Sequence, residues 1–284
     1  MRDTFGREIT YLRVSVTDRC NLRCKYCLPA VGADKKSHDD ILRSEEIVEI
    51  CRAAVELGIV KIRVTGGEPL VRKGIVELCA NLAALDIDEL CLTTNGILLE
   101  QFAEPLKLAG VDRVNVSLDT LDADKYRKLT RGGDLSAVLR GIDAAKRAGL
   151  TPVKINAVLI KGVNDTEIDR FYELDNVEPR FIELMPIGES KEHWRERYFT
   201  LDSNKHKVIS PISRKFCGAC NRLRLTADGK LKPCLHSRDE YNVRGLRVEE
   251  LKAAILNAAA AKPQMHLLET GATNSQRGMN RIGG

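Results

Sequence analysis

Between Tyr11 and Met185 the chain alternates short β-type runs with stretches of helical period, and this alternation restricts the fold more than any other feature. The strand-like runs are Tyr11–Val16, Lys61–Thr65, Leu90–Thr94, Arg113–Ser117, Val153–Leu159 and Arg180–Leu184. One helical stretch between them puts Ile47, Ile50, Cys51 and Val55 on one face, with Ser44 as its expected N-cap. Another starts behind Asp134, turns Val138, Ile142 and Ala145 to one face, and stops at Gly149. Strands alternating with helices of this length build right-handed βαβ units around a parallel sheet. Six such units predict an α/β fold, a closed or three-quarter barrel.

The pattern changes after Met185. Gly188 to Lys207 is charged and aperiodic, and holds the only tryptophan, Trp194. A Cys-rich stretch (Cys217 to Cys234) and an Ala-rich helix (Val248 to Ala261) follow. The tail, Gly271 to Gly284, is polar and Gly-rich, and is expected to be loose without a ligand. The expected division is therefore a barrel over residues 5–187, a linker over 188–209 and a smaller cysteine-rich C-terminal region over 210–284. With 30% charged and 43% hydrophobic residues the chain is not of the disordered class. No apolar run approaches the roughly 18 residues of a membrane span, and Met1 to Phe5 lacks a charged-then-apolar leader pattern. A cytoplasmic protein is expected, in which nine cysteines serve metal binding or catalysis rather than disulfides. The net charge of +5 suits an anionic small molecule and does not call for nucleic acid or a membrane.

Cys20, Cys24 and Cys27 follow the first strand at C-x₃-C-x₂-C spacing. A [4Fe–4S] cluster has four irons, so this loop would leave one iron open to a ligand that is not protein. Structural zinc loops usually show paired C-x₂-C spacing instead. A second triad, Cys217, Cys220 and Cys234, has spacing that suits either another cluster or zinc with His236 as fourth ligand. Cys51, Cys79 and Cys91 sit in apolar patterns and are expected in the core. Barrel enzymes place their chemistry at the C-terminal ends of strands. Polar residues recur there: Thr65-Gly66-Gly67-Glu68-Pro69, Thr93 to Gly96, Ser117, Asp119 and Asn156, with Met185 beyond the sixth run. Arg13 and Arg63 sit on strands. Lys154 alternates with Asn156, and Arg222 with Arg224, which puts each pair on one face. Charges buried on strands need a partner, and guanidinium forks suit a polyphosphate. No phosphate-cradling loop competes, since Gly32 to Ser37 resembles one only superficially.

The C-x₃-C-x₂-C motif with Tyr26 before its last cysteine resembles the signature of radical S-adenosylmethionine (SAM) enzymes. That resemblance implies a partial (βα)₆ TIM-like barrel, in agreement with the six units. It also implies a [4Fe–4S] cluster on Cys20, Cys24 and Cys27 whose open iron takes SAM, with Tyr26, Gly67, Ser117 and Met185 in contact with it. The stretch from Asn221 to Leu235 and the Gly283-Gly284 end are similar to those of the GTP 3′,8-cyclase family. This second resemblance implies a lyase of molybdenum cofactor biosynthesis with GTP as substrate. A second [4Fe–4S] cluster would sit on Cys217, Cys220 and Cys234, with its open iron on the guanine. Arg13, Arg63, Thr93, Lys154, Arg222 and Arg224 would contact GTP, and Gly283 and Gly284 would enter the active site. An external low-potential electron donor, hand-off to cyclic pyranopterin monophosphate synthase, and a monomer or homodimer are implied as well. Only 31 residues separate Met185 from Cys217, fewer than the family pattern has, so the placement of the second triad is the feature to test. The alternatives are a peptide-modifying radical SAM enzyme with an auxiliary cluster, and a non-enzymatic iron–sulfur or zinc module. The Asn221–Leu225 stretch and the Gly-Gly end argue against the first, and the three-donor triads against an electron carrier.

Overall fold

The computed structural model describes residues 1–31, 37–191, 194–266, 268, 275 and 277–283. The six expected strands form: β1 (Tyr11–Ser15), β2 (Lys61–Thr65), β3 (Glu89–Thr94), β4 (Arg113–Ser117), β5 (Val153–Leu159) and β6 (Val177–Glu183). They pair in chain order, all parallel. Helices α1 (Ser44–Glu56), α2 (Ile75–Ala83), α3 (Leu99–Leu108), α4 (Ala123–Thr130) and α5 (Leu135–Arg147) fill the crossovers up to β5. The crossover into β6 uses a 3₁₀ segment, Asp169–Glu173, whose Phe171 packs edge-on against Phe181 at 5.7 Å.

Residues of period two on each strand divide between two faces. Leu12, Val14, Ile62, Val64, Val114 and Val116 are buried within the main hydrophobic core with the inward faces of the helices. On α1 that face is Ile47, Ile50, Cys51, Ala53 and Ala54. Burial of each large aliphatic contributes about 1.5–3 kcal/mol, so this layer carries the fold without help from the polar side of the sheet. The expected core cysteines Cys51, Cys79 and Cys91 are all fully buried.

Beyond Met185 the chain returns to the same sheet. A short α6 (Trp194–Arg197) leads to β7 (Val208–Ile209), which adds parallel to β6. Then β8 (Arg222–Leu225) pairs parallel with β1, and β9 (Lys230–Lys232) and β10 (Tyr241–Asn242) continue antiparallel. The sheet order is β10-β9-β8-β1-β2-β3-β4-β5-β6-β7. Helix α7 (Val248–Ala260) lies against α1.

Two local expectations change and one holds. Ser44 is the first residue of α1 and not its cap. Arg43 takes the cap position, because the Glu46 carboxylate, three residues on, accepts the Arg43 N–H at 2.8 Å. Ser44 Oγ instead accepts from Arg72 at 3.3 Å. Asp134 caps α5 as expected, accepting the Ser136 N–H at 3.0 Å. The tail's described end is not loose: Ile282 is fully buried and Asn280 donates to the Asp18 carbonyl at 3.2 Å. An apolar side chain at that position anchors a segment whose composition alone reads as free. Gly32 to Lys36 and Gly284 lie outside the described residues.

Candidate active site

One cavity of about 350 Å³ opens at the C-terminal ends of the strands. All six motif cysteines line it, as do Tyr26, Gly67, Ser117 and Met185, and Arg13, Arg63, Thr93, Arg222 and Arg224. Residues more than 200 positions apart in the chain thus converge, because β8 lies beside β1. Lys154 departs from the expected set. It shares a face with Asn156, but it sits in register with Glu178 at the deep end, with Nζ 3.8 Å from Oε2, and it does not line the cavity.

The first cysteine loop is fixed from two sides. Gly67 donates its N–H to the Thr17 carbonyl at 2.7 Å and Glu68 to the Arg19 carbonyl at 2.8 Å. A Cβ on Gly67 would run into the Arg19 and Asp18 backbone. The glycine pair therefore lets β2's end lie directly on the approach to Cys20, as well as lining the cavity. Glu68 is buried and accepts from Thr94 Oγ1 (2.8 Å), the Asn95 N–H (2.7 Å) and the Leu70 N–H (3.0 Å). Burial nevertheless pushes its carboxyl up to about 7. Tyr26 donates to Asp119 at 2.8 Å, and Asp119 also accepts the Val158 N–H. Burial raises the Cys20 thiol to about 11 and the Cys27 thiol to about 12; Cys24 also rises, from burial first and then from Asp119 and its two neighbours.

The second triad sits in a contrasting field. Lys262 is buried and donates from Nζ to the carbonyls of Arg222 (2.8 Å) and Pro233 (2.9 Å). Burial opposes ionisation of Cys220, but the Lys262 ammonium and the Arg222 N–H hold its thiol below the ordinary value. Arg7 donates to the Cys217 carbonyl at 2.8 Å. His236 stacks edge-on against His266 at 4.9 Å, and burial lowers it to about 3, so it is neutral.

No three Cys, His, Asp or Glu side chains among the described residues converge closely enough for a single metal ion. All six cysteines are free thiols on a common cavity. The ligands of a cubane sit on separate irons, and three free thiols on one stretch of cavity wall are the donor type such a cluster takes.

Between the triads lies a cationic patch. Arg224, Arg13 and Arg63 are register partners on β8, β1 and β2. Tyr11 lies under the guanidinium groups of Arg63 (5.6 Å) and Arg222 (5.8 Å). Burial, then Arg222, brings Arg224 down to about 10, and burial with Arg224 and Arg63 brings Arg13 well down. Arg63 Nε, Arg222 Nε, Thr93 Oγ1 and Asn156 Oδ1 are buried with no hydrogen-bond partner. Buried donors and like charges left in this state call for a polyanionic ligand.

Gly283 enters the same space. Its carbonyl accepts from Arg224 Nη1 at 2.6 Å, its φ is +72°, and a Cβ there would stand 2.5 Å from Thr65 Oγ1. Gly283→Ala is expected to expel the tail end and lower nucleotide turnover at least tenfold, with global stability changed by no more than about 1 kcal/mol; parallel activity and thermal melts check this.

The short bridge reaches the cavity because Glu183, at the end of β6, catches it. Its carboxylate accepts the N–H groups of Ile212 (2.9 Å) and Ser213 (3.0 Å), the Tyr198 hydroxyl (3.0 Å) and the Ser213 hydroxyl. Burial would raise this carboxyl, but Ser213 and the backbone donors hold it below the ordinary value. A depressed carboxylate stabilises above its unfolded pKa of about 4.3 and loses that contribution as pH falls through the lower folded value. Glu183→Gln is expected to cost about 2–3 kcal/mol at neutral pH, with the deficit shrinking in an acid denaturation series as pH falls below the unfolded value of about 4.3.

Tyr11, Arg180, Lys262, Asn280 and Arg7 escape the motif reading. Tyr11 and Arg180 carry a usable signal, since they alternate in period two with buried strand residues. The other three act through tertiary contacts with distant segments.

A profile of the radical SAM superfamily matches residues 14–174, and one described as Molybdenum Cofactor Synthesis C matches residues 195–268. The chain belongs to the radical SAM superfamily. Within it, the chain falls in the GTP 3′,8-cyclase family. It is 47% identical over 320 residues to the GTP 3′,8-cyclase of Alkaliphilus oremlandii and 48% identical over 324 residues to that of Moorella thermoacetica, covering 100% of both chains in each case. An alignment of 320 residues against a chain of 284 leaves at least 36 positions of the Alkaliphilus protein without a counterpart. Among solved structures, Streptococcus suis SuiB bound to SAM superposes with TM-score 0.67 at 15% identity, over 93% of this chain and 67% of that one. The SAM-bound anSMEcpe structure gives 0.62 at 20% identity, over 85% and 80%. These two likenesses establish the fold. Among the described residues, no helix is long and apolar enough to cross a membrane.

Proposed function

We propose that the chain is a GTP 3′,8-cyclase, a lyase that converts GTP to (8S)-3′,8-cyclo-7,8-dihydroguanosine 5′-triphosphate in molybdenum cofactor biosynthesis. Full-length identity of 43–48% to proteins of that name supports the reading. The observation that carries it to the site is the shared cavity, with a cysteine triad at each side and unsatisfied arginines between.

In this reading Cys20, Cys24 and Cys27 hold one cluster and Cys217, Cys220 and Cys234 a second. When bound, the first cluster and SAM would supply the chemistry that starts a radical reaction at the ribose, and the second cluster would hold the guanine base beside it. Tyr26, Gly67, Ser117 and Met185 face SAM, and the Tyr26–Asp119 hydrogen bond keeps the loop's orientation. Arg13, Arg63, Arg222 and Arg224 hold the triphosphate, and Thr93 and Asn156 offer their free buried atoms to the nucleoside. Gly283 completes the pocket against Arg224, while Gly284 lies outside the described residues. Lys154 acts at one remove, by compensating Glu178 beneath the arginines. Orientation of the two reactants and a preformed cationic field are the chain's own contributions to rate. The division at residues 187/188 and 209/210 follows the same reading, with residues 210–284 carrying the nucleotide side of the cavity.

The test is anaerobic incubation of reconstituted protein with SAM, dithionite and GTP. Formation of 5′-deoxyadenosine together with a cyclised nucleotide is expected. SAM cleavage that is indifferent to GTP, with no nucleotide product, overturns the reading.

A further inference from the structure

A second cavity, of about 420 Å³, adjoins the cysteine loop. Its walls include Lys25 and Tyr26 of that loop, Lys128 of α4, Lys161 beyond β5, and Trp194 and Arg197 of α6. Apart from Tyr26, no residue of this groove has a part in the cyclase reading. Lys25, Lys128, Lys161 and Arg197 are all exposed, and no carboxylate among the described residues pairs with any of them. Glu189 is the one acidic residue in the wall, while Lys125, also in the wall, is paired with Glu167. Exposed, unpaired lysines on several separate segments do not make a tight pocket for a small anion. They make a concave cationic surface suited to an acidic macromolecule.

The groove is also next to the chemistry. Tyr26 lines both cavities. The Gly188–Ser190 turn packs on the loop backbone, where a Cβ on Gly188 would stand 3.1 Å from the Cys27 carbonyl oxygen. The bridge that carries Trp194 and Arg197 is thereby held against the segment that bears Cys24 and Cys27.

We propose that this groove docks a small acidic one-electron carrier protein and sets its reduced centre against the Tyr26 side of the cysteine loop. The inference rests on the reading that Cys20, Cys24 and Cys27 hold an iron–sulfur cluster. The step is balanced as follows. One electron leaves the carrier, which is oxidised by one unit, and reduces the metal centre by one unit. That electron is consumed when the C5′–S bond of SAM breaks to give methionine and the 5′-deoxyadenosyl radical, with no proton exchanged.

The experiment measures 5′-deoxyadenosine release by the full reconstituted chain with SAM and GTP, driven either by reduced flavodoxin or by dithionite. In the triple variant Lys128→Glu, Lys161→Glu, Arg197→Glu, the KM for flavodoxin is expected to rise at least about tenfold. The wild-type rate with flavodoxin should fall with added salt, and the variant's should not. With dithionite the two proteins should agree within about twofold. The Lys→Gln, Arg→Gln counterpart should fall between them. An unchanged KM for flavodoxin overturns the docking site, and so does an equal loss with both reductants, which marks a purely structural defect. Wild-type protein that fails to cleave SAM with dithionite overturns the cluster reading itself, a result distinct from either.

Discussion

Cys24→Ala leaves SAM uncleaved, with 5′-deoxyadenosine falling below about a thousandth of the wild-type yield, whereas Cys234→Ala keeps SAM cleavage and loses the cyclised nucleotide. Both variants should drop from about eight iron atoms per chain to about four. The asymmetry follows from where the triads sit. Cys24 shares its loop with Tyr26, which is bonded to Asp119, at the end of β1 and close to β2's glycine pair. Cys234 lies beyond β9, with Lys262 bonded to its neighbour Pro233, on the side of the cavity lined by Arg222 and Arg224. Iron analysis and product analysis of both variants check the prediction. Loss of SAM cleavage in Cys234→Ala would contradict the division of labour.

Arg63→Met should act in opposite directions on stability and on binding. Arg63 is 7% exposed, in register with Arg13, and its Nε has no partner. Removing one of several buried like charges relieves repulsion and desolvation, against which a cation–π contact with Tyr11, worth about 0.5–1 kcal/mol, is lost. The ligand-free protein is expected to gain about 1 kcal/mol net, a rise in Tm of roughly 2–4 °C. The same change removes a charge-assisted bond to phosphate worth about 1.5–3 kcal/mol, so GTP binding should weaken about 10- to 100-fold. Calorimetry for Tm and titration with GTP measure both. A lower Tm with unchanged GTP affinity would show that Arg63 is a structural residue.

Much of this was legible in the sequence because local spacing encodes it. Period-two alternation put Arg222 beside Arg224 and Lys154 beside Asn156. Apolar runs located all six strands, with bounds shifted by at most three residues, at Val177. Cysteine spacing picked out the six cysteines that line the cavity. What spacing cannot encode is which strand neighbours which. The pairing of β8 with β1 sets Arg224 beside Arg13 and turns two separate basic motifs into one field. Lys154 shows the converse: its face was right, but sheet register carried it below the cavity, to Glu178. Lys262 and Arg7 were invisible for the same reason, since each acts on carbonyls brought close only by tertiary folding. Glu183 has no motif around it, and its partners at Ile212 and Ser213 come only from the bridge that closes over it.

The partnership of β1 with β8 also sets a schedule for biosynthesis. β1 leaves the ribosome well before β8, and one of its edges stays open until Arg222–Leu225 arrive about 200 residues later. At roughly 5–20 residues per second that is a delay of about 10–40 seconds. Throughout it, a nascent barrel presents an unpaired strand carrying Leu12 and Val14, the kind of edge that invites pairing with a neighbouring chain. Expression at low temperature, or with added chaperone, should therefore raise the yield of this protein more than that of a barrel closed by its own consecutive strands.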